Sequence, residues 1–269
     1  MHFISGLPRS GSTLLSAILR QNPRFATGII SPVGGLVMAM HRIMCQDNET
    51  AVFLDAAKRR ALLRGVFENY YAAEAGRGQI VLDTNRIWAG RLTLLAELFP
   101  TCKVICCVRH VPWIIDSLER LVIANPLESS RIFNWDSAGS VYARYEYISG
   151  GNGLVGNAWN ALKEGFFSGQ SRRLLLLTYE TLASDPARAI KAVYDFLGEP
   201  AFAHQFDTIA PMEIGEFDQR LGMPGLHALR PRVAYQPRTT ILPPDLFRRV
   251  EKDSFWQDKS ALECGVAIV

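Results

Sequence analysis

The sequence predicts an α/β fold, a parallel sheet flanked by helices on both faces and carrying helical insertions. Two observations point there. Short apolar runs of four or five residues recur without polar alternation, and amphipathic helical stretches separate them. Parallel strands buried on both faces read as unbroken apolar runs, and helices make the crossovers between them. A third observation is composition: 269 residues, 48% hydrophobic and 20% charged, are enough for a sizeable core and ordinary for a globular chain. No repeat, low-complexity segment or linker interrupts the chain, so residues 1–269 are expected to form a single domain.

The first strand is expected at His2–Ser5. It breaks at Gly6-Leu7-Pro8-Arg9-Ser10-Gly11 and is followed by Leu14, Leu15, Ile18 and Leu19, one face of a helix. After a Pro- and Gly-rich stretch at 22–35, helix is expected to about Ala75, with Leu62, Leu63, Val66, Phe67 and Tyr70 at helical intervals. A second run, Gln79–Leu82, ends in Asp83-Thr84-Asn85-Arg86. A helix over Leu92–Phe99 leads to a third run, Val104–Val108, closed by Arg109, and a further helix opens near Pro112, since proline suits a first helical turn. The last run, Leu174–Leu177, ends in Thr178-Tyr179-Glu180 and precedes a helix at Pro186–Leu197. Residues 198–244 read as one long irregular region, and loops of that length are usually functional or mobile.

Composition also excludes. With 29 Lys and Arg against 26 Asp and Glu, the net charge of +3 is too small for a broad basic face that would wrap nucleic acid or coat a membrane. Five cysteines, three of them crowded at Cys102, Cys106 and Cys107, suit buried packing better than a disulfide framework or a zinc site. No apolar run approaches the roughly 20 residues of a membrane span, and the N-terminus lacks the charge order of a secretory signal. A reducing cytoplasm is the expected compartment. Apolar helix faces leave room for a homodimer.

Gly6–Thr13 has the frame of a phosphate-binding loop: strand, glycine-bounded turn, then a helix opening on hydroxyls. N–H groups at a helix start lack internal partners and bind anions. The nucleotide triphosphatase version places Lys before its final Ser or Thr. Here that position is Ser12, and the cation is Arg9 inside the loop, whose planar guanidinium can fork two oxygens of an anion. Magnesium loses its usual setting, and no metal is expected.

With Arg9 in P-R-S-G-S-T, this P-loop-type segment resembles the 5′-phosphosulfate loop of the sulfotransferases that use 3′-phosphoadenosine 5′-phosphosulfate. Arg109 and Ser117, eight residues apart in R-H-V-P-W-I-I-D-S, resemble that family's 3′-phosphate site, and Tyr179 in L-T-Y-E-T-L-A-S-D-P resembles a tyrosine near the adenine. The resemblance covers residues 1 to about 200. It implies the phosphosulfate donor, 3′-phosphoadenosine 5′-phosphate as product, and Pro8, Arg9, Ser10, Gly11, Ser12, Thr13, Arg109, Ser117 and Tyr179 as donor contacts. The residues agree independently, since Arg9 and Arg109 fall at carboxyl ends of expected parallel strands, the edge where open α/β sheets bind ligands. The acceptor that the resemblance implies is a hydroxyl on a small molecule, carbohydrate or peptide.

The catalytic base departs from the better-known relatives. Cytosolic sulfotransferases use a His shortly after a Lys, and tyrosylprotein enzymes a Glu beyond the loop; neither pattern is present at 83–88 or 28–32. Asp83, at an expected strand end, is the first candidate, with Arg86 replacing the family's lysine at the leaving oxygen. Asp83 equally suits a helix cap or an ion pair with Arg86. His41 is a second candidate base. Arg230 in the late basic stretch is a candidate for the 3′-phosphate or a solvated charge. Tyr142, Tyr145, Tyr147 and the segment 150–156 border the acceptor or simply pack a helix and turn. Two other functions remain open, a P-loop kinase or nucleotidase and a non-catalytic module that binds the adenosine bisphosphate.

Overall fold

The computed structural model describes residues 1–45, 49–135, 139–212, 214–258 and 264–269. Six strands, β1 (His2–Gly6), β2 (Phe25–Thr27), β3 (Ile80–Thr84), β4 (Val104–Val108), β5 (Leu174–Thr178) and β6 (Ala267–Ile268), form one sheet in the order β2-β3-β1-β4-β5-β6. Every pairing is parallel. Between the first five strands run α1 (Ser12–Leu19), α2 (Val33–Cys45), α3 (Ala56–Tyr70), α4 (Ala72–Gly76), α5 (Leu92–Leu98), α6 (Val111–Ala124), α7 (Val141–Ser149) and α8 (Leu154–Phe166). After β5 come α9 (Tyr179–Ser184), α10 (Pro186–Leu197), α11 (Gly215–Arg220) and α12 (Pro244–Val250).

The pleat explains the unbroken apolar runs. Successive side chains alternate between faces. Phe3, Val104, Cys106, Leu174 and Leu176 enter one core with Phe67, Trp88, Ile115 and Phe166. Their neighbours Ile4, Ile105, Cys107, Leu175 and Leu177 enter a second core on the other face, against Leu15 and Ile18 of α1 and Ile190 and Val193 of α10. Cys102, Cys106 and Cys107 are buried in this packing, and all five cysteines are free thiols. Burial alone pushes the Cys107 thiol up to about 12.

The sheet order reverses around β1, whose successors β2 and β3 lie to one side while β4 and β5 lie to the other. Ligands of open α/β sheets bind at such switch points, outside the carboxyl ends of the strands. Gly6 makes the turn there: its φ is 112°, and a Cβ would stand 2.1 Å from the Cys107 carbonyl oxygen. α10 is bounded as its sequence dictates, by the Asp185 cap with Pro186 in the first turn and by Gly198 at φ 78°.

Three differences from the sequence expectation matter. β2 and β6 are edge strands of three and two residues, too short to stand out from the loops that hold them. β3 continues to Thr84, two residues beyond the expected end. The irregular region contains α11, and its backbone is pinned across itself by Ile209 N–H to the Pro231 carbonyl (2.6 Å) and Val233 N–H to the Phe206 carbonyl (2.8 Å).

Candidate active site

The glycine loop leaves β1 and enters α1 through two left-handed residues, Arg9 at φ 56° and Gly11 at φ 92°. A non-glycine residue there costs roughly 1–2 kcal/mol, so the surrounding structure holds Arg9 in place. Its Nε donates to the Ser117 hydroxyl of α6 at 3.0 Å. Arg109, one residue past β4, lies 4.2 Å from the Tyr179 ring centroid and donates from one terminal nitrogen to the Arg9 carbonyl at 3.3 Å. Three separated sequence motifs therefore meet in one contact set. Ser10 is the exception among the loop hydroxyls: it is fully buried and bonds back to the Pro8 carbonyl at 3.2 Å.

A cavity of about 460 Å³ opens above this set, lined by Pro8, Arg9, Gly11, Ser12, Thr13, Arg109, Ser117 and Tyr179 from the sheet edge. Seven arginines line it (Arg9, Arg86, Arg109, Arg120, Arg230, Arg232 and Arg238), and no carboxylate does among the described residues. Burial first, then the neighbouring Arg109 charge, brings the Arg9 guanidinium down to about 10. Burial likewise lowers Arg86 and Arg109. The Arg109 Nε is buried with no hydrogen-bond partner. Buried cations without counter-charges are costly, and a multiply charged anion is the ligand that relieves that cost.

The far wall of the cavity is the late loop, including Leu226, His227, Ala228, Arg230, Arg232 and Arg238. Its anchor is Asp116, which is fully buried and stands beside Ser117. One Asp116 oxygen accepts from Ile241 N–H (2.9 Å) and the Thr240 hydroxyl (3.1 Å); the other meets Arg120 (2.9 Å) and Arg238 (2.6 Å). Arg230 is an exposed member of this wall.

The same loop delivers a histidine that sequence reasoning did not single out. Asp218 of α11 is buried, and its carboxylate grips residue 227 twice: one oxygen stands 2.6 Å from the His227 Nδ1, and the other accepts the His227 backbone N–H at 2.9 Å. With Nδ1 engaged by a carboxylate, Nε2 is the acceptor of the neutral imidazole. Burial, helped by the Arg86 and Arg9 charges and opposed by Asp218, brings His227 below its usual 6.5. A neutral imidazole oriented by a carboxylate, at a cavity that also holds Arg9 and Arg86, is a general base in form. The only sequence signal was a D-x8-H spacing in an irregular segment, which gives no hint that the segment folds back onto the glycine loop.

Asp83 stands elsewhere. Because β3 extends to Thr84, Asp83 pairs with Phe3 inside the sheet and points into the Phe67 and Trp88 core. It is fully buried, lines none of the cavities at this edge, and accepts from Ser31, Tyr71 (2.5 Å) and Trp88 (2.6 Å). Its expected place at a strand end on the ligand edge is corrected: it lies inside the sheet, makes no ion pair with Arg86, and ties β3 to the helical insertions. Arg86, two residues beyond the strand, does face the cavity, with no hydrogen bond or ion pair from its guanidinium among the described residues. His41 lies on α2 near Cys45 (3.8 Å), away from the cavity. Tyr142 bonds Asp245 (3.0 Å), Tyr145 packs under Arg249 (5.1 Å), and neither lines it. Of the segment 150–156, Leu154 borders the cavity.

Fold and site together define an α/β protein with an arginine-lined cavity at the carboxyl edge of its sheet, and its family makes it a group-transfer enzyme. The sulfotransferase family model matches residues 2–204, and the chain belongs to that family; it is a sulfotransferase and moves sulfuryl groups. One solved structure agrees in fold. The sulfotransferase domain of the Synechococcus PCC 7002 olefin synthase is 19% identical, covers 96% of this chain and 94% of its own, and superposes with a TM-score of 0.53. The sulfotransferase domain from the curacin biosynthetic pathway is 19% identical over 75% of each chain, TM-score 0.49. A sulfotransferase from Alicyclobacillus acidocaldarius is 14% identical over 80% of this chain and 88% of its own, TM-score 0.48. Among the described residues no His, Cys, Asp and Glu cluster suits a metal, and no helix is long and apolar enough to cross a membrane.

Proposed function

We propose that this enzyme uses 3′-phosphoadenosine 5′-phosphosulfate as donor, sulfates an acceptor hydroxyl, and releases 3′-phosphoadenosine 5′-phosphate without a metal. The observation that supports the donor is the carboxylate-free arginine cavity, in which Arg9 with the loop N–H groups and Arg109 with Tyr179 offer two anion-binding groups at one strand edge. The buried, unpartnered Arg109 Nε fits a phosphate oxygen. The donor, when bound, supplies an activated sulfuryl group on a phosphate leaving group. Arg9 and the α1 N-terminus hold its 5′ end, Arg109 and Ser117 its 3′-phosphate, and Tyr179 flanks the base. His227 takes the acceptor proton at Nε2 as the acceptor oxygen bonds to sulfur. Arg86 and Arg9 receive the charge left on the phosphate oxygen when the bridging bond breaks. Free thiols support a reducing, cytoplasmic setting, and residues 1–269 act as one domain.

Thermal stabilisation tests the donor. At a hundredfold excess over Kd, ligand binding adds about 2.7 kcal/mol, or roughly 5–10 °C for a chain of this size. The adenosine bisphosphate and the phosphosulfate donor should give that shift, and magnesium–ATP should not. A preference for magnesium–ATP would point to a kinase or nucleotidase. Tight bisphosphate binding with no donor consumed across phenols, aliphatic alcohols and sugars would point to a non-catalytic module.

A further inference from the structure

A second cavity, about 170 Å³, adjoins the first behind the glycine loop. The two share Ser12, Arg86, Leu154, Leu226 and His227, so the proposed base and the free arginine stand in the partition between them. Beyond that partition the small cavity is walled by Ile29, Ile30, Ile132, Phe217 and Leu221. Two of its remaining polar side chains, Ser5 and Thr84, are spent. The Ser5 hydroxyl donates to the Arg86 carbonyl (2.9 Å) and accepts from Ala89 N–H (3.1 Å). The Thr84 hydroxyl donates to the Gly28 carbonyl (2.7 Å). Asn85 accepts from Ile87 N–H (3.3 Å) and lies against Gly34. Apart from the Asn85 amide, the free polarity of the slot therefore lies at the end that faces the arginine cavity. At the other end Ile30 and Thr84 also line a third, open cavity of about 580 Å³ at the β2 edge of the sheet, beside Tyr70 and Tyr71.

We infer that this slot takes the acceptor, and that the acceptor is an aliphatic alcohol with a slim, unbranched apolar chain, its hydroxyl at His227 and its tail passing Ile30 toward the β2 edge. The inference rests on the sulfuryl-transfer reading above and names its substrate class. A sugar has hydroxyls all round, and in this slot they would meet isoleucine, leucine and phenylalanine. Each buried hydroxyl without a partner is penalised, which is why apolar sites reject polyols. A bulky polycyclic alcohol exceeds a 170 Å³ slot. An alkyl chain leaves no hydroxyl unpaired on entry and gains about fourfold in binding for each methylene removed from water.

The test uses the full-length enzyme, linear 1-alkanols from ethanol to decanol, and glucose. Binding of the adenosine bisphosphate is first measured by calorimetry without acceptor; if it does not bind, the donor reading fails and takes this inference with it. With binding established, acceptor kcat/KM should climb about fourfold per methylene and then level off when the slot is filled. Acceptor Kd on the bisphosphate complex should follow the same series. Glucose turned over as well as hexanol, or no alkanol turned over while the bisphosphate binds, would overturn the alcohol assignment and leave the donor reading standing. Ile30→Trp, at a position 40% exposed and outside the arginine cavity, separates slot from fold. It should lower kcat/KM for decanol at least tenfold, spare ethanol, and leave bisphosphate Kd and Tm unchanged, while Ile30→Ala retains decanol turnover. An equal loss for ethanol and decanol would sink the route past Ile30.

Discussion

The two walls of the arginine cavity are built by different means. The sheet edge places Arg9, Arg109 and Tyr179 at strand ends, so their positions follow from strand pairing and from two buried cores. The opposite wall is an irregular loop that lends Ile209, Met223, Leu226 and Leu242 to the cores and is tethered by two buried carboxylates, Asp116 and Asp218. One wall is positioned by strand pairing and two cores, and the other by these few buried apolar anchors together with charge-assisted hydrogen bonds. Changes at the edge should therefore remove ligand contacts and leave the fold intact, whereas changes at the tethers should release a whole segment.

The largest effect is expected on the loop side. His227→Ala should lower kcat by about 10²–10⁴-fold, the usual worth of a general base, while the bisphosphate Kd stays within a few-fold by calorimetry. Asp218→Asn should lie between, since the ring loses its orienting carboxylate. The acid limb of the rate should fall below pH 6.5, because burial and the Arg86 and Arg9 charges lower the folded His227. Wild-type turnover in His227→Ala would return the base role to another group.

On the edge side, Arg109→Ala removes a charge-assisted contact worth roughly 1.5–3 kcal/mol, so bisphosphate Kd should weaken about ten- to a hundredfold. Tm without ligand should hold or rise, because the variant removes an uncompensated buried cation. A fall in ligand-free Tm with unchanged Kd would make Arg109 a structural residue and erase the contrast between the walls.

Asp116→Ala sharpens it from the other direction. Ile241, Thr240, Arg238 and Arg120 lose their common acceptor, so the loop around residue 238 should become cleavable in limited proteolysis. Bisphosphate Kd should weaken about tenfold as Arg238 and Arg120 lose their anchor. Protection equal to wild type would mean that the loop is held by something other than Asp116.

This contrast also explains what the sequence disclosed. Arg9, Arg109, Ser117 and Tyr179 were legible because a strand end, a glycine turn and the first turns of a helix are local patterns, and parallel topology brings such ends to one edge. His227 and Asp218 were not, because their proximity to Arg9 depends on a loop whose course is set by buried polar contacts distant in sequence, such as Asp116 with Ile241. Asp83 failed for a smaller reason. A strand judged to end at Leu82 puts Asp83 on the ligand edge, and two further residues of pairing turn it into the core.

That displacement yields the smallest expected change. Asp83→Asn replaces a carboxylate that accepts from Ser31, Tyr71 and Trp88 with a group that must present one N–H to a donor. A buried mismatch of this kind costs about 1–3 kcal/mol, a loss of several degrees in Tm, with turnover per folded molecule within twofold of wild type. The pH dependence separates this from a catalytic role. Burial raises the folded Asp83 pKa above 3.8, so the native state holds that proton more tightly than the unfolded chain. The resulting stabilisation is complete below the unfolded value and fades as pH rises through the folded one. Asn carries no such proton, so the Tm gap between wild type and variant should narrow with rising pH. A gap that widens instead, or a hundredfold fall in kcat at unchanged Tm, would put Asp83 back at the chemistry.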